Sequence, residues 1–305
     1  MKLLVVGSLN MDLVILTDRP PQKGETLAGS GFTTVCGGKG ANQAIAAAKL
    51  GADVSMIGKV GNDVFAEKML KNLAHFRVGT KGVTAADMQS GIAVINVFGS
   101  DNTIIVDKGA NASLTADDID RNIELLRDCD AVLMQFEIPF ETVMYVAKKA
   151  KELGKYVIIN PAPVQNMPAE LLKCTDLLIL NEHEAAFLSN LNVTSENVEL
   201  SAGCLLKKGV GEVLITLGGE GSYYLSPTAS CKVPALKVKP VDTTAAGDTY
   251  TAGYIIRKSD TGNTESAMRF ASAAAAIAVT RLGASVSVPT KAEVEYILTQ
   301  QKSSS

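Results

Sequence analysis

What most constrains this 305-residue chain is the alternation of short apolar runs with helical stretches. The runs are LLVV at 3–6, VSMIG at 54–58, AVLMQF at 131–136, YVIIN at 156–160, DLLIL at 176–180 and EVLITL at 212–217. Most are apolar on both sides of the strand, so both faces must be covered. Parallel strands need a crossover, usually a helix, and helical patterns do lie between the runs, at 40–50, 63–77, 140–153 and 264–281. The expected class is therefore α/β: a Rossmann-like three-layer sandwich with a mainly parallel central sheet, built as a single domain over 1–305. With 47% hydrophobic and 20% charged residues, the chain has ample material for such a core.

Two segments break the rhythm. Residues 11–36 are rich in Pro, Gly and Thr and include Pro20, Pro21 and Gly24. Residues 90–107 alternate like antiparallel strands, with a turn at Gly99-Ser100-Asp101-Asn102. Both read as a small β layer inserted into the α/β core. Over the sheet edge it would act as a lid; the alternative is a pair of ordinary surface hairpins. The Ala-rich stretch 264–280 predicts a closely packed helix. It is too short and too interrupted, by Glu265 and Arg269, to cross a membrane. The apolar run at 3–6 is too short for a signal peptide or a span, and residues 303–305 read as a frayed end.

Composition narrows the function classes. A formal net charge of -3 with scattered Lys and Arg argues against a nucleic-acid partner, and no Trp with only 5% aromatics argues against a base-stacking platform. The five cysteines, Cys36, Cys129, Cys174, Cys204 and Cys231, form no C-x-x-C pair, which points to reduced thiols in a cytoplasmic protein. Only His75 and His183 could serve a His-based mechanism, and nothing near His75 supplies a triad partner or a metal-ligand spacing.

The most informative stretch is VDTTAAGDTYTAG at 241–253. Thr243 and Thr244 suit a helix start, and the small residues Ala245, Ala246 and Gly247 let their amides approach a ligand closely. A helix N-terminus suits an anion, and Asp248 falls in the first turn beside it. A held phosphoryl group and a carboxylate beside the acceptor hydroxyl are two parts that phosphoryl transfer needs. A plain capping box explains the same local residues equally well. The second stretch, CGGKGANQ at 36–43, offers tight turns at Gly37, Gly38 and Gly40 and polar groups at Lys39 and Asn42. It is neither a Walker A loop nor G-x-G-x-x-G, and a helix-start turn is its bland reading. In GSLNMD at 7–12, Asn10 and Asp12 face the same way in extended chain and could fix a polar ligand; an Asx turn is the alternative. Further candidates follow later strands: Glu137 before Pro139, Asn181 and Glu184 in LNEHEAAFL, and Thr216, Gly218, Gly219 and Gly221 in ITLGGEGS. Their shared position at strand ends is where α/β proteins place ligands.

Taken together, GGKGAN and DTTAAGD resemble the two signature motifs of the ribokinase-like carbohydrate kinase family, in the right order and over essentially the whole chain. INPAP at 159–163 and VTRLGA at 279–284 fit the same comparison. The Lys39 form of the first motif is more typical of the ribose-phosphorylating branch than of fructokinases or adenosine kinases. The resemblance implies transfer of the ATP γ-phosphate to O5 of D-ribose, with Asp248 as base and the amides of Ala245, Ala246 and Gly247 as anion hole. It implies sugar contacts from Asn10, Asp12, Gly38, Lys39, Asn42 and Glu137. Asn181 and Glu184 match the N-x-x-E motif that organises Mg²⁺ and phosphate, partly through water. Thr216, Gly218, Gly219 and Gly221 would line the nucleotide site, together with Gly247. A monovalent cation, usually K⁺, is implied at Asp242 and Thr244, with main-chain oxygens of Ala278, Arg281 and Gly283, and Ser287 near. The family lid often pairs two subunits into a homodimer. Two positions depart from the pattern: Ser272, often His near the adenine, and Phe187-Leu188-Ser189-Asn190, where Leu-Thr-Gly is usual after the N-x-x-E helix.

Other readings stay open at this stage. One is a kinase for 2-deoxyribose or another small sugar. A second is a sugar-binding protein without catalysis, which the intact Asp248 and its small-residue neighbours weigh against. A dinucleotide oxidoreductase lacks its glycine fingerprint after the first strand.

Overall fold

The computed structural model describes residues 1–99 and 101–303. Ser100, in the expected turn at 99–102, and Ser304 and Ser305, in the expected frayed end, lie outside the described residues.

In chain order the strands are β1 (Lys2–Val6), β2 (Asn10–Leu16), β3 (Ser30–Gly37), β4 (Asp53–Val60), β5 (Gly79–Ala85), β6 (Gly91–Phe98), β7 (Asp101–Asp107), β8 (Ala131–Met134), β9 (Tyr156–Ile159), β10 (Leu177–Asn181), β11 (Glu212–Thr216), β12 (Ser222–Leu225) and β13 (Ser230–Val233). The helices are α1 (Lys39–Lys49), α2 (Val64–His75), α3 (Ala116–Arg121), α4 (Ile123–Asp128), α5 (Phe140–Glu152), α6 (Ala169–Cys174), α7 (Glu182–Ser189), α8 (Val198–Lys207), α9 (Ala246–Thr261), α10 (Thr264–Val279) and α11 (Lys291–Ser303).

The main sheet has nine strands in the order β13-β12-β11-β10-β9-β8-β1-β4-β5. All its pairings are parallel except those of β12 and β13, which turn back antiparallel at one edge. The two-sided apolar runs explain the layering. In β1, Leu3 and Val5 join one buried cluster, with side chains from α1, α9 and α10, while Leu4 and Val6 join another, with side chains from α5, α6 and α8. Burial of both faces is what a run with no polar alternation requires. Helices α9 and α10 pack closely because Gly253 faces Ala271; a Cβ on Gly253 would sit 3.1 Å from the Ala271 Cα. Among the described residues, no helix is long and apolar enough to cross a membrane.

The two irregular segments form a separate four-stranded sheet in the order β3-β2-β6-β7, as the sequence pattern predicts. Strand β2 runs antiparallel to β3 and parallel to β6, which runs antiparallel to β7. Asn10 lies opposite both Gly37 and Gly91, and Ile92 lies opposite Asp107. The chain therefore joins this sheet to the main body at the same end of all four strands.

Candidate active site

The site lies where the small sheet meets the carboxyl ends of the main strands. Asn10 and Asp12 open β2 of the small sheet, so they belong to the seam between the sheets and not to the end of β1. Asn10 is buried, and its Oδ1 accepts from Asn111 Nδ2 at 2.8 Å. Asn111 also bonds the backbone of Leu9 in both directions, at 2.9 and 3.0 Å. Sequence reasoning missed Asn111 because it sits in a short turn with no motif around it. The Asp12 carboxyl lies over Gly37, where a Cβ would come within 2.3 Å of it. Burial, and then Glu137, push this carboxyl up to about 7.

Gly38 caps α1 at φ 90, and a Cβ there would lie 2.8 Å from Asn10 N, so only glycine brings the two segments this close. Lys39 is the first residue of α1, and its N–H donates to Glu137 Oε2 at 3.0 Å. Glu137 also accepts from Ser8 Oγ and lies in the loop beyond β8, three residues past the strand it was expected to end. Burial works against the charge on Lys39, but Asp248, Glu137 and Glu184 together hold its ammonium above the usual range.

Asp248 is 8% exposed. Gln43 Nε2 donates to its Oδ1 at 2.9 Å, and Asn42 Nδ2 reaches its Oδ2 at 3.4 Å. Asn42 Oδ1 is buried and has no partner among the described residues. A helix N-terminus favours the ionised carboxylate. Burial nevertheless wins over Lys39, Gln43 and Asn42, and the Asp248 carboxyl stands above its ordinary value.

The start of α9 differs from the expected Thr cap. The cap position is Ala245, in the left-handed region at φ 59, with no side-chain hydrogen bond to the helix. Ala246 N–H reaches Thr243 O at 3.2 Å, while those of Gly247 and Asp248 find no acceptor among the described residues. The space in front of Gly247 is open, since a Cβ there would meet nothing within 4 Å. Ahead of it, the two Asp242 oxygens accept from Thr244 N–H and Gly283 N–H, each at 2.9 Å. These bonds hold its carboxyl below the usual range against burial and tie this loop to the one after α10. Ala278 O accepts from Arg281 N–H at 3.0 Å, and the Arg281 side chain turns away to Glu293. Ser287 is buried, and its hydroxyl donates to Ala284 O at 2.7 Å.

Asn181 and Glu184 form a reciprocal capping box on α7, each side chain accepting from the other's N–H at 2.9 Å. Burial raises the Glu184 carboxyl. Thr216 ends β11, and Gly218 and Gly219 follow with open space where a Cβ would stand. Gly221 is different. At φ 111 its missing Cβ would strike Val233 O at 2.1 Å, so packing against the end of β13 explains that glycine by itself.

A pfkB family carbohydrate kinase profile matches residues 1–291. The chain belongs to the pfkB family of carbohydrate kinases. It is 40% identical over 295 residues to the ribokinase of Bacillus subtilis, covering 96% of this chain and 98% of that one. It is 37% identical to the deoxyribokinase of Salmonella typhi, covering 95% and 96%. It is 39% identical to the bifunctional ribokinase/ribose-5-phosphate isomerase A of Fructilactobacillus sanfranciscensis and spans 57% of that longer relative. Among solved structures, the ribokinase of Thermotoga maritima is 37% identical at a TM-score of 0.89, covering 97% of this chain and 99% of that one. The Arabidopsis thaliana ribokinase complexed with ribose and ATP is 33% identical at 0.88, covering 97% and 98%. The pfkB fold thus includes both sheets described above.

Proposed function

We propose that this chain is an ATP-dependent kinase that phosphorylates D-ribose at O5, giving D-ribose 5-phosphate and ADP. One observation carries the reading: two distant motifs meet at one buried carboxylate, where Asn42 and Gln43 of the first reach Asp248 of the second. Asp248 is the general base. The amides of Ala245, Ala246 and Gly247 form the anion hole, a reading supported by the Gly247 N–H, which has no acceptor among the described residues, and by the Ala246 N–H, whose 3.2 Å bond to Thr243 O is long. The O5–H proton passes to Asp248, the bond from O5 to the γ-phosphorus forms, and the bond from that phosphorus to the ADP oxygen breaks. Asn10, Asp12, Gly38, Lys39, Asn42 and Glu137 hold the sugar, with Asn42 Oδ1 as a ready acceptor.

Thr216, Gly218 and Gly219 receive the nucleotide, with Gly247 at its phosphate end; Gly221 shapes that wall. When bound with ATP, Mg²⁺ neutralises charge on the phosphates. Asn181 and Glu184 fit a role at one remove from it, through water, because one oxygen of each is committed to the α7 cap. A K⁺ site beside the anion hole is supported by the ionised Asp242, which links the loops carrying Thr244 and Gly283. Residues 1–305 act as one domain with the small sheet as a lid. Homodimer pairing through that sheet is supported by β7, an edge strand whose Ile104, Ile105 and Val106 are all exposed. The five free thiols support a cytoplasmic location.

The deoxyribokinase relative favours 2-deoxyribose as the second reading. A coupled ADP-release assay with D-ribose, 2-deoxyribose and D-fructose, with K⁺ or a large organic cation, tests the proposal. Ribose is expected to give the highest kcat/KM and K⁺ the higher rate. A higher kcat/KM for deoxyribose would replace the substrate, and ADP release independent of sugar would remove the kinase.

A further inference from the structure

Gln43 has no role in the sugar contacts or the anion hole, yet it is fully buried and central to a chain of side-chain amides. Asn160, after β9, donates from Nδ2 to the main-chain carbonyl of Ile179 at 3.0 Å. Its Oδ1 accepts from Gln43 Nε2 at 2.9 Å. The same Gln43 nitrogen donates to Asp248 Oδ1 at 2.9 Å, and Gln43 Oε1 accepts from Gln135 Nε2 at 2.6 Å.

The polarity of this chain has one solution. A carbonyl can only accept, so Ile179 O forces Asn160 to turn its NH₂ toward β10 and its oxygen toward Gln43. Gln43 must then answer with its own NH₂, whose two hydrogens go to Asn160 and Asp248. With the amide reversed, its oxygen would face both Asn160 Oδ1 and Asp248 Oδ1, stranding three buried acceptors together. The main chain of β10 therefore dictates that a hydrogen points at one particular oxygen of Asp248.

We propose that Gln43 is a positioning residue that locks Asp248 Oδ1 as an acceptor and leaves Oδ2 as the oxygen that takes the sugar hydroxyl proton. The inference rests on Asp248 being the base. Oδ2 is the less committed of the two oxygens, with Asn42 Nδ2 at 3.4 Å. Lys39 on α1, Glu137 after β8 and Glu184 on α7 are the charged groups that act on this carboxylate. Gln43 adds a neutral donor that favours the ionised form at Oδ1 without occupying Oδ2.

The test compares kcat and KM across pH for the unmodified protein, Gln43→Met, Gln135→Met and Asp248→Asn, assayed with D-ribose and MgATP. Gln43→Met should lower kcat about 10- to 100-fold, since the carboxylate loses its orientation. Losing a donor to the ionised form should also move the acid limb of kcat upward by about one pH unit. KM for both substrates should stay within about 3-fold, as expected when no ground-state contact is removed. Gln135→Met, which only loosens Gln43, should move the limb the same way by less. A folded Gln43→Met protein with an unmoved acid limb, or with its loss confined to KM, overturns the proposal. If Gln43→Met does not fold, an unmoved limb in Gln135→Met overturns it instead. Asp248→Asn separates the two claims: near-normal kcat there removes the base itself, whereas an inactive Asp248→Asn with an unmoved limb in the Gln variants removes only the role of Gln43.

Discussion

The two sheets of this molecule are built to opposite rules. In β1, at the centre of the main sheet, Leu3 to Val6 are at most 1% exposed, and helices cover both faces. In β7, at the edge of the small sheet, Ile104, Ile105 and Val106 are 55%, 72% and 51% exposed. Side-chain ties between the small sheet and the body include Lys68 Nζ to Thr34 O at 2.9 Å and Asn111 Nδ2 to Asn10 Oδ1 at 2.8 Å. The difference separates two tasks. The buried sheet fixes Asp248 and its amide chain, while the small one contributes Asn10 and Asp12 from a root that joins the core at Met11, with its far edge at β7 left exposed. The proposed chemistry takes place where one rule gives way to the other.

The sharpest break of that contrast is at Asp248. Asp248→Asn should lower kcat by about 10²–10⁴, the scale of a lost acid/base group, with little change in melting temperature. Steady-state kinetics beside a thermal melt reads both. A matched pair of stability variants comes next. Leu4→Ala, in the main sheet, should destabilise by about 2–5 kcal/mol in denaturant titrations. Ile105→Lys, in the small sheet, should stay within about 0.5 kcal/mol yet shift the protein toward monomer in sedimentation. Equal costs at the two positions would erase the distinction between the sheets. The smallest effect concerns Asp12. Its folded value of about 7 lies above the ordinary 3.8, so the folded state holds this proton more tightly. The stabilisation is full below about pH 4 and lost as pH rises through about 7. Asp12→Asn should flatten melting temperature across that window, by on the order of 2 °C after allowing for partial exposure. An unchanged slope would place the titration elsewhere.

Much of the body was legible because burial on both faces leaves a visible mark: every apolar run named from the sequence is a strand of the main sheet, and 140–153 became α5 almost residue for residue. Strands β5 and β13 escaped notice as edge elements with glycine or polar residues in place of apolar runs, and β12, paired on both sides, because its Ser-Tyr-Tyr-Leu run is only four residues long. At the site, Asn42 and Gln43 of the first motif lie against Asp248 of the second, but local pattern could not reveal that Ala245, not a threonine, begins α9, because a positive φ leaves no signature in an Ala-Ala pair. Asn111 and Gln135 were equally silent, and Asn160, though part of the INPAP stretch, carried no role there. Each matters through a neighbour more than 90 residues away in sequence, and no spacing rule reaches that far.

Joining all four strands of the small sheet to the body at one end makes it a lever. Strand β2 runs from Asn10 at the fulcrum to Leu16 at the free end, about 20 Å at about 3.3 Å per residue. A turn of about 10° there would carry the tip roughly 3.5 Å, while Asn10, pinned by Asn111, would scarcely move. In the proposed lid role, such a flap would amplify small rotations at its rim and leave the polar groups at its root almost still, so a sugar held at the root would not have to be released each time the rim swung.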